Sequence, residues 1–173
     1  MQTDEALAAR LADGDELALH ELLRRYERPL ASFLHRQTGG RDVEDLYQET
    51  WLRVVRHAER FDSNRRFSTW LFQIAVNLCR DWHRRPPPEP ASPSAEPAAA
   101  ELERTDAALD ATQLLARLPA AQREVVVLRY YHDLSEDEVA AVLDIPKGTV
   151  KSRMHQAIAR LAELVRPEKR AAS

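Results

Sequence analysis

The chain has 173 residues, enough for one domain of ordinary size or two small ones, and a formal net charge of -3. Glycine is scarce, and Ala, Leu, Glu and Arg dominate the composition, so the sequence predicts an all-helical fold. No apolar stretch approaches the roughly 20 residues that span a membrane. The acidic amino terminus lacks a secretory signal core, and the single Cys79 excludes an internal disulfide. We therefore expect a cytoplasmic protein without membrane insertion.

Charge is strongly segregated along the chain. Residues 56–85 carry a net charge of +4 and residues 147–173 carry +5, so the remaining segments sum to -12. Blocks of opposite sign indicate surfaces with different partners, although charges can also merely solvate helix faces. The two basic segments are candidates for nucleic-acid binding.

The first three helices are predicted from apolar spacing. A short helix covers about Asp4 to Leu11, a longer one with leucines from Leu19 to Leu34 ends at Gly39 and Gly40, and a third begins near Asp42. In the third helix the residues predicted to point inward are Val43, Leu46, Tyr47, Thr50 and Val54.

The outer face of the third helix forms an acidic ridge of Asp42, Asp45 and Glu49, with Arg53 on the same face and Gln48 beside it. A metal site made by the three carboxylates is one interpretation, but no His lies one turn away as in di-iron bundles. A protein contact or a plain solvated face is favoured. We expect no metal and no cofactor.

The next helix, FSTWLFQIAVNLCRDWHRR from Phe67, carries two different stripes. One stripe is apolar, and such stripes usually pack against neighbouring helices; it contains Phe67, Trp70, Leu71, Ile74, Leu78 and Trp82. The other is polar and basic, and it contains Thr69, Gln73, Asn77, Arg80 and Arg84. Amides can read a base edge, Arg binds phosphates and aromatic rings stack on a displaced base, so this helix suits opened nucleic acid.

Residues 86–105 hold six of the ten prolines in the sequence PPPEPASPSAEPAAAELERT, which cannot pack a core. They are predicted to be a flexible linker with a reach on the order of 60 Å. We therefore predict two small helical domains, at residues 1–85 and 106–173.

The second domain contains a predicted helix-turn-helix. One helix ends near Leu118, and the run VVVL lies in the next helix because its flanks and length disfavour a strand. Ser135 and Glu138 form a capping box, and a break at Asp144 precedes Pro146, which suits the first turn of the following helix.

In that last helix Val150, Met154, Ile158 and Leu161 are predicted to face inward. The residues predicted to face outward, near the end that enters a major groove, are Lys147, Lys151, Ser152, His155 and Gln156. A helical hairpin with a basic solvated face is the alternative.

Nearly the whole chain resembles the extracytoplasmic-function (ECF) sigma factors of bacterial RNA polymerase, in the sigma-70 family. DVEDLYQETWLRV is similar to the family's segment that docks on the largest polymerase subunit, and FSTWLFQIAVNLCRD to the segment that opens and reads the -10 element. LPAAQREVVVLRYYHDLSEDEVAAVLDIPKGTVKSRMHQA is similar to the -35-reading domain.

The resemblance implies three sets of functional residues. Those that bind core polymerase are Asp45, Gln48, Glu49, Trp51 and Leu52. Those that contact the -10 element are Arg60, Asn64, Arg65 and Arg66 of the loop that shapes a flipped-base pocket, and Thr69, Gln73, Asn77, Arg80 and Arg84. Those that contact the -35 element are Lys147, Thr149, Lys151, Ser152, Arg153, His155 and Gln156.

Three classes of function are compatible with these features of the sequence. A sigma factor with core polymerase and promoter DNA as partners accounts for both basic segments and the ridge, and the family frequently adds an anti-sigma factor that holds the protein at the inner membrane face. A stand-alone helix-turn-helix regulator would leave the polar helix and the ridge unused. An enzyme is disfavoured, because no metal spacing of the His residues, glycine-rich phosphate loop or nucleophile motif occurs in the sequence.

Overall fold

The structure, a computed structural model, describes residues 2–86 and 106–165, with side chains from residue 111 onward in the second range. Within these ranges the chain is helical and contains no strand. The α-helices are α1 Asp4–Ala12, α2 Glu16–Thr38, α3 Val43–His57, α4 Phe67–Arg84, α5 Asp106–Ala116, α6 Ala120–Val126, α7 Glu136–Leu143 and α8 Lys147–Val165. The all-helical prediction is confirmed, whereas the linker prediction falls almost entirely outside the described residues.

Helices α1 to α4 form the first unit. Asp15 accepts hydrogen bonds from the backbone N–H groups of Leu17 and Ala18 at 2.9 and 3.3 Å and so begins α2. Gly39, at φ 66°, ends it in the left-handed conformation that glycine adopts without steric cost. The apolar faces of the four helices meet in a core that includes Leu22, Phe33, Leu34, Val54, Phe67 and Leu71.

Helices α5 to α8 form the second unit, in which α6 continues into a π-helical turn, Val127–Tyr131. The VVVL run is therefore helical, as predicted. Ser135 and Glu138 make the predicted capping box at the start of α7, with N···O distances of 2.7 and 3.2 Å. Asp144, at φ 54°, ends α7 and sets the break before α8.

One inward position of α8 was predicted incorrectly. Val150 and Ala157 are buried and Met154 and Leu161 partly so, but Ile158 is 47% exposed. Two helical turns from Val150 lead to Ala157, whose small side chain allows α8 to pack against α6. Ile158 instead lines an apolar groove with Tyr130, Tyr131, Leu161 and Val165.

The two units pack against each other along α4. Helix α7 contacts α4, and the ring of His132 lies against Phe72 of α4 and Phe33 of α2, with centroid distances of 4.6 and 5.8 Å. Arg123 donates to the carbonyl oxygens of Leu115 and Leu118 at 3.0 Å each, and to that of Gln37 in α2 at 2.8 Å. The buried Arg123 guanidinium therefore joins the end of α5 to the first unit.

This packing changes the burial of α4. Beside the predicted apolar stripe, a second line of residues, Phe72, Val76 and Cys79, is buried. Thr69, a member of the predicted polar stripe, is only 5% exposed. Contacts between the two units are not visible in the periodicity of one helix. None of the described helices has the length and apolarity needed to cross a membrane.

Candidate protein and nucleic-acid interfaces

Helix α3 presents an exposed stripe at helical spacing. Asp45, Gln48, Leu52 and Val55 follow one another at intervals of three or four residues, and all four are exposed. Leu52 and Val55 are 55% and 46% exposed and form the apolar end of the stripe, beside the polar Asp45 and Gln48. Exposed apolar side chains next to polar ones are found at protein contact surfaces. We call these four residues the α3 stripe.

The other two residues predicted to dock on polymerase are less accessible to solvent. Glu49 is half-buried and pairs with Arg53 at 2.9 Å, so part of its charge is neutralised within α3. Trp51 is 6% exposed and lies in the hydrophobic core, where its ring packs near Tyr47 at 6.4 Å between centroids. Trp51 therefore supports the stripe from inside and has no exposed face for a partner. Val55 was missed, although its position three residues after Leu52 could have indicated it.

The loop before α4 exposes three arginines and one asparagine. Asp62 accepts hydrogen bonds from the backbone N–H and side-chain amide of Asn64 at 3.0 and 2.9 Å, which fixes the turn. Arg60 and Arg65 extend into solvent, and the Arg66 side chain is paired with Glu138 of α7. This loop is strongly basic and lies directly beside the start of α4.

Behind the loop, aromatic rings and a distant carboxylate hold the start of α4. Phe61 packs on Phe67 and Trp70 with centroid distances of 5.8 and 5.2 Å. Glu5 of α1 accepts a hydrogen bond from the Phe67 backbone N–H at 3.1 Å, where α4 has no side-chain cap from its own N-cap residue. Sequence reasoning missed Glu5, because a cap supplied from 62 residues away leaves no local signal.

The polar residues of α4 differ in accessibility. Asn77 and Arg84 are exposed, Gln73 and Arg80 are half-buried, and Arg84 lies 3.5 Å from Asp81. Gln73, Asn77 and Arg80 line a cleft of about 580 Å³ whose opposite wall comes from α6, the end of α7 and Arg153 of α8. The polar stripe thus faces the second unit across an open cleft.

Arg80 makes a bidentate ion pair across this cleft. Its Nε and Nη2 atoms lie 2.9 and 2.8 Å from the two carboxylate oxygens of Glu124 in α6. Glu124 is 5% exposed, and its hydrogen bond raises the pKa of Arg80. Glu124 was not among the predicted site residues; the only sequence signal was a charged pair, Arg123 and Glu124, directly before an apolar run.

Helix α8 presents most of the predicted -35 residues on its outer face. Lys147, Lys151, Ser152, His155 and Gln156 are all exposed, while Thr149 is half-buried. The Ser152 hydroxyl donates to the carbonyl oxygen of Thr149 at 3.1 Å. The arrangement presents two cations, a hydroxyl, an imidazole and an amide on one surface, which suits phosphates and base edges together.

The lysines of α8 are paired with the acidic first turn of α7. Lys147 Nζ lies 2.9 Å from Asp137, a hydrogen bond that raises the pKa of Lys147, and Lys151 Nζ lies 3.7 Å from Glu136. Arg153 lies apart from the exposed set and lines the cleft beside Arg80. In the described part of the chain, no group of three or more His, Cys, Asp or Glu is arranged to hold a metal ion.

Two buried groups of the interface between the units have shifted pKa values. Burial lowers the pKa of His132 to about 4, and the nearby Arg36 acts in the same direction. Burial raises the pKa of the Cys79 thiol to about 12, with the charge of Glu124 adding to the effect. Both groups are therefore neutral at neutral pH, as a packed interface requires.

Each of the two units matches a known protein family. The family description Sigma-70 region 2 matches residues 22–86, and Sigma-70, region 4 matches residues 108–161. The first match contains the α3 stripe, the basic loop and α4, and the second contains the helix-turn-helix.

Relatives extend the similarity to nearly the full chain. The ECF RNA polymerase sigma-E factor of Haemophilus influenzae is 30% identical over 95% of this chain and 96% of its own length, and that of Escherichia coli is 32% identical over 95% of both. The structure of CnrH in complex with the cytosolic domain of CnrY superposes with a TM-score of 0.75 at 31% identity, over 95% of this chain and 97% of that one. With two family regions in the expected order and relatives of this identity along its length, the chain belongs to the ECF sigma factors of the sigma-70 family.

Proposed function

We propose that the chain directs core RNA polymerase to promoters through three surfaces with separate tasks. The α3 stripe, with Glu49, docks on polymerase; the loop of residues 60–66 and α4 bind the opened -10 element; and the outer face of α8 reads the -35 element as duplex. The observation that carries this assignment is the presence of all three surfaces on one chain. A stand-alone helix-turn-helix regulator leaves the first two unexplained.

The assignment of α4 to the -10 element rests on its polar side chains and on the contacts that fix the start of the helix. Asn77 is exposed on a helix whose start is fixed by aromatic packing and by Glu5, so its amide is held in a defined place. Arg60, Asn64, Arg65 and Arg66 supply a basic loop beside it. Extruding a base costs a few kcal/mol, which hydrogen bonds and stacking in such a pocket must offset. Thr69 and Trp51 are buried, so we assign them a role in supporting the helices that carry the exposed residues and no direct contact with a partner.

The -35 assignment rests on the exposed amino-terminal half of α8. A recognition helix presents its first turns to the major groove, and phosphate contacts position it while base-edge contacts specify sequence. Lys147 and Lys151 are suited to phosphates, because a compact ammonium pairs with a charged oxygen without needing a fixed plane. His155 and Gln156 are suited to base edges. On binding, DNA phosphates would replace the α7 carboxylates that pair with the two lysines.

We further propose the setting of this activity. The chain is divided into domains at residues 1–85 and 106–173, joined by a linker at residues 86–105, and acts in the cytoplasm on the bacterial nucleoid without catalysing a reaction itself. An anti-sigma factor, which could hold it at the inner membrane face, is the regulatory partner we expect. CnrH, a structural relative, is bound to the cytosolic domain of CnrY in the solved structure.

Docking on polymerase is the step that separates a sigma factor from a stand-alone regulator. Replacing both Asp45 and Glu49 by Lys should abolish co-purification with core polymerase, because reversed charges oppose a complementary surface. The matched control replaces the exposed Glu27 and Glu163 by Lys, giving the same change in net charge outside the α3 stripe. Circular dichroism should remain helical for both. Unchanged polymerase affinity in the Asp45 and Glu49 variant would reject the docking assignment.

A further inference from the structure

Gln156, on the surface proposed to read the -35 element, is hydrogen-bonded to a residue of the neighbouring helix α6. It is exposed on the outer face of α8, and its Oε1 atom accepts a hydrogen bond from Nε2 of Gln122 at 3.4 Å. An amide is planar, with the acceptor oxygen on one side and the NH2 group, which only donates, on the other. Because the oxygen faces Gln122, the NH2 group is the end of the Gln156 amide that is left for another partner.

Gln122 is held beside α8 by the packing of α6. It lies in the first turn of α6, where its backbone N–H donates to the carbonyl oxygen of Pro119 at 3.0 Å. Helix α6 packs on α8, in which the buried Ala157 directly follows Gln156. The Gln122 side chain is half-buried, and its Oε1 atom is buried with no hydrogen-bond partner in the described part of the chain. Nε2 is therefore the end of the Gln122 amide that bonds outward, to Gln156.

The end of the Gln156 amide that faces DNA decides which bases it can read. In the major groove, guanine and thymine carry a keto oxygen that accepts a hydrogen bond, whereas adenine and cytosine carry an amino group that donates one. The N7 acceptor is common to both purines and does not separate them. An NH2 group directed at the groove therefore pairs with a keto base and meets an amino base donor against donor. An oxygen directed at the groove has the opposite preference.

We propose that Gln122 is a positioning residue for recognition of the -35 element, which holds the Gln156 amide with its NH2 group towards the major groove and so makes Gln156 select a keto base. The inference rests on the proposed function of α8. Gln122 need not touch DNA, since it acts through Oε1 of Gln156. Hydrogen bonds from supporting residues commonly fix the orientation of a side chain that binds a ligand.

Competition between promoters measures this preference with the complete holoenzyme. Core polymerase with the parent chain or a variant transcribes an equimolar mixture of templates that carry all four base pairs at each position of the -35 element. The relative amounts of transcript give the preference at each position. Gln156→Ala should reduce discrimination at one position by about two- to tenfold, the effect of one net hydrogen bond, and so identifies the position that Gln156 reads.

At this position the parent should divide the base pairs into two sets. Along either strand a keto base always faces an amino base, so a reader of keto groups favours guanine and thymine on the strand that it contacts. The two pairs with guanine or thymine on one strand should therefore rank above the two with adenine or cytosine on that strand.

Gln122→Glu should exchange the ranks of these two sets. A carboxylate has no N–H to donate, so it pairs with Gln156 only by accepting from the NH2 group, which turns the Gln156 oxygen towards the groove. Gln122→Leu removes the pairing without imposing the opposite one, so discrimination should fall without reversal. Adding Gln122→Leu to Gln156→Ala should cause no further loss at this position, because both substitutions act through one contact.

The matched control is Gln113→Glu, which changes an exposed residue of α5 in the same unit and gives the same change in net charge as Gln122→Glu. It accounts for the effect of one added negative charge on DNA binding and should keep the preference of the parent. Circular dichroism and co-purification with core polymerase should be the same for all variants. If Gln122→Glu loses its helicity, Gln122→Leu decides the question, by a loss of discrimination or by its absence.

Two results would overturn the proposal. One is an unchanged preference at every -35 position in Gln156→Ala, which would mean that Gln156 reads no base. The other is a folded Gln122→Glu variant that keeps the parent's order of base pairs or shows no preference, since the orientation of the Gln156 amide would then not depend on Gln122. Absence of any promoter-specific transcript from the parent with core polymerase is a different failure, because it rejects the proposed function before the variants are compared.

Discussion

Asn77 is the residue on which base reading at the -10 element depends in this account. Its amide is exposed on α4 at the edge of the cleft, between the half-buried Gln73 and Arg80. An amide offers a donor and an acceptor in one plane, which can match the edge of a single base. Gln73 also carries an amide but is half-buried, and Arg80 is half-buried and has no acceptor.

We expect Asn77→Ala to impair promoter opening, or to relax base preference in the -10 element, while polymerase binding is retained. The loss follows from removing the paired donor and acceptor without disturbing a buried contact. Permanganate footprinting measures opening, and a panel of base-substituted promoters measures preference. If both match the parent protein, Asn77 has no part in the pocket.

Substitution of Lys151 and substitution of His155 are expected to change DNA binding in different ways. Lys151→Ala should weaken binding about equally on all -35 sequences and reduce the salt dependence by roughly one unit of slope, as one lost phosphate contact does. His155→Ala should cost about 1 to 3 kcal/mol on the preferred sequence and relax discrimination at one position.

A binding panel of -35 variants at two salt concentrations and two pH values measures both effects. The two pH values are needed because a histidine near phosphates can act through charge when protonated. Equal weakening of every variant by His155→Ala would contradict its assignment to base reading. The pairing of Lys151 with Glu136 at 3.7 Å predicts that Glu136→Gln strengthens duplex binding slightly, by freeing the ammonium.

The lowered pKa of His132 predicts that the stability of the protein depends on pH. Its pKa is about 4 in the folded protein and near 6.5 when exposed, so the folded state favours the neutral ring. The groups around it are Arg36 and Asp133, together with the rings of Phe33 and Phe72. Above pH 6.5 its burial has no protonation cost, and stability is lost as the pH falls from about 6.5 towards 4, because the unfolded chain binds the proton first.

We expect His132→Phe to remove this part of the pH dependence, since phenylalanine keeps the ring contacts and cannot titrate. The difference in unfolding free energy between variant and parent should grow by roughly 3 kcal/mol between pH 7 and 4, at about 1.4 kcal/mol per pKa unit. Urea denaturation at a series of pH values provides the comparison. Parallel stability curves for the two proteins would contradict the assignment. At neutral pH the variant should be at least as stable, because His132 Nε2 has no hydrogen-bond partner in the described part of the chain.

At the scale of elements, local signals predicted helices well where caps and breaks are built from neighbouring residues. The capping box of Ser135 and Glu138, the left-handed Gly39 and the break at Asp144 all lie where the sequence indicated. Such signals are local because the hydrogen bonds involved span only a few residues. Ser135→Ala should therefore lower the unfolding free energy by about 1 kcal/mol, measured by urea denaturation. An unchanged value would mean that tertiary contacts alone hold the start of α7.

Burial along each helix was predicted less well, for reasons that lie in tertiary packing. Trp51 matched the family's docking segment but fills the core, and Thr69 shared a polar stripe but is buried. Ile158 was placed inward although Ala157 occupies that position. A helical pattern states which residues share a face, but the neighbour that covers the face decides how much of it is buried. The second unit supplies that neighbour for α4.

The ion-pair partners of the arginines proposed to bind the -10 element could not be predicted from the sequence. Glu124 lies 44 residues from Arg80 in the chain, and Glu138 lies 72 residues from Arg66. No periodicity or motif connects positions at such separations across a proline-rich segment. Sequence patterns placed the arginines in a basic segment, whereas only the fold showed that carboxylates of the second unit pair with two of them.

The whole molecule consists of two helical units, and the surfaces proposed to bind polymerase and DNA differ in how far the chain itself covers them. The α3 stripe is open, the -10 surface is partly covered, and the lysines of the -35 surface are paired with acids of α7.

Run-off transcription from genomic fragments with purified core polymerase distinguishes a sigma factor from a stand-alone regulator. Promoter-specific transcripts are expected only when the chain and core polymerase are both present. They should be lost in the variant with Asp45→Lys and Glu49→Lys and retained in the control with Glu27→Lys and Glu163→Lys. Specific binding of duplex DNA by the chain alone, with no transcript on addition of core polymerase, would contradict the proposed function.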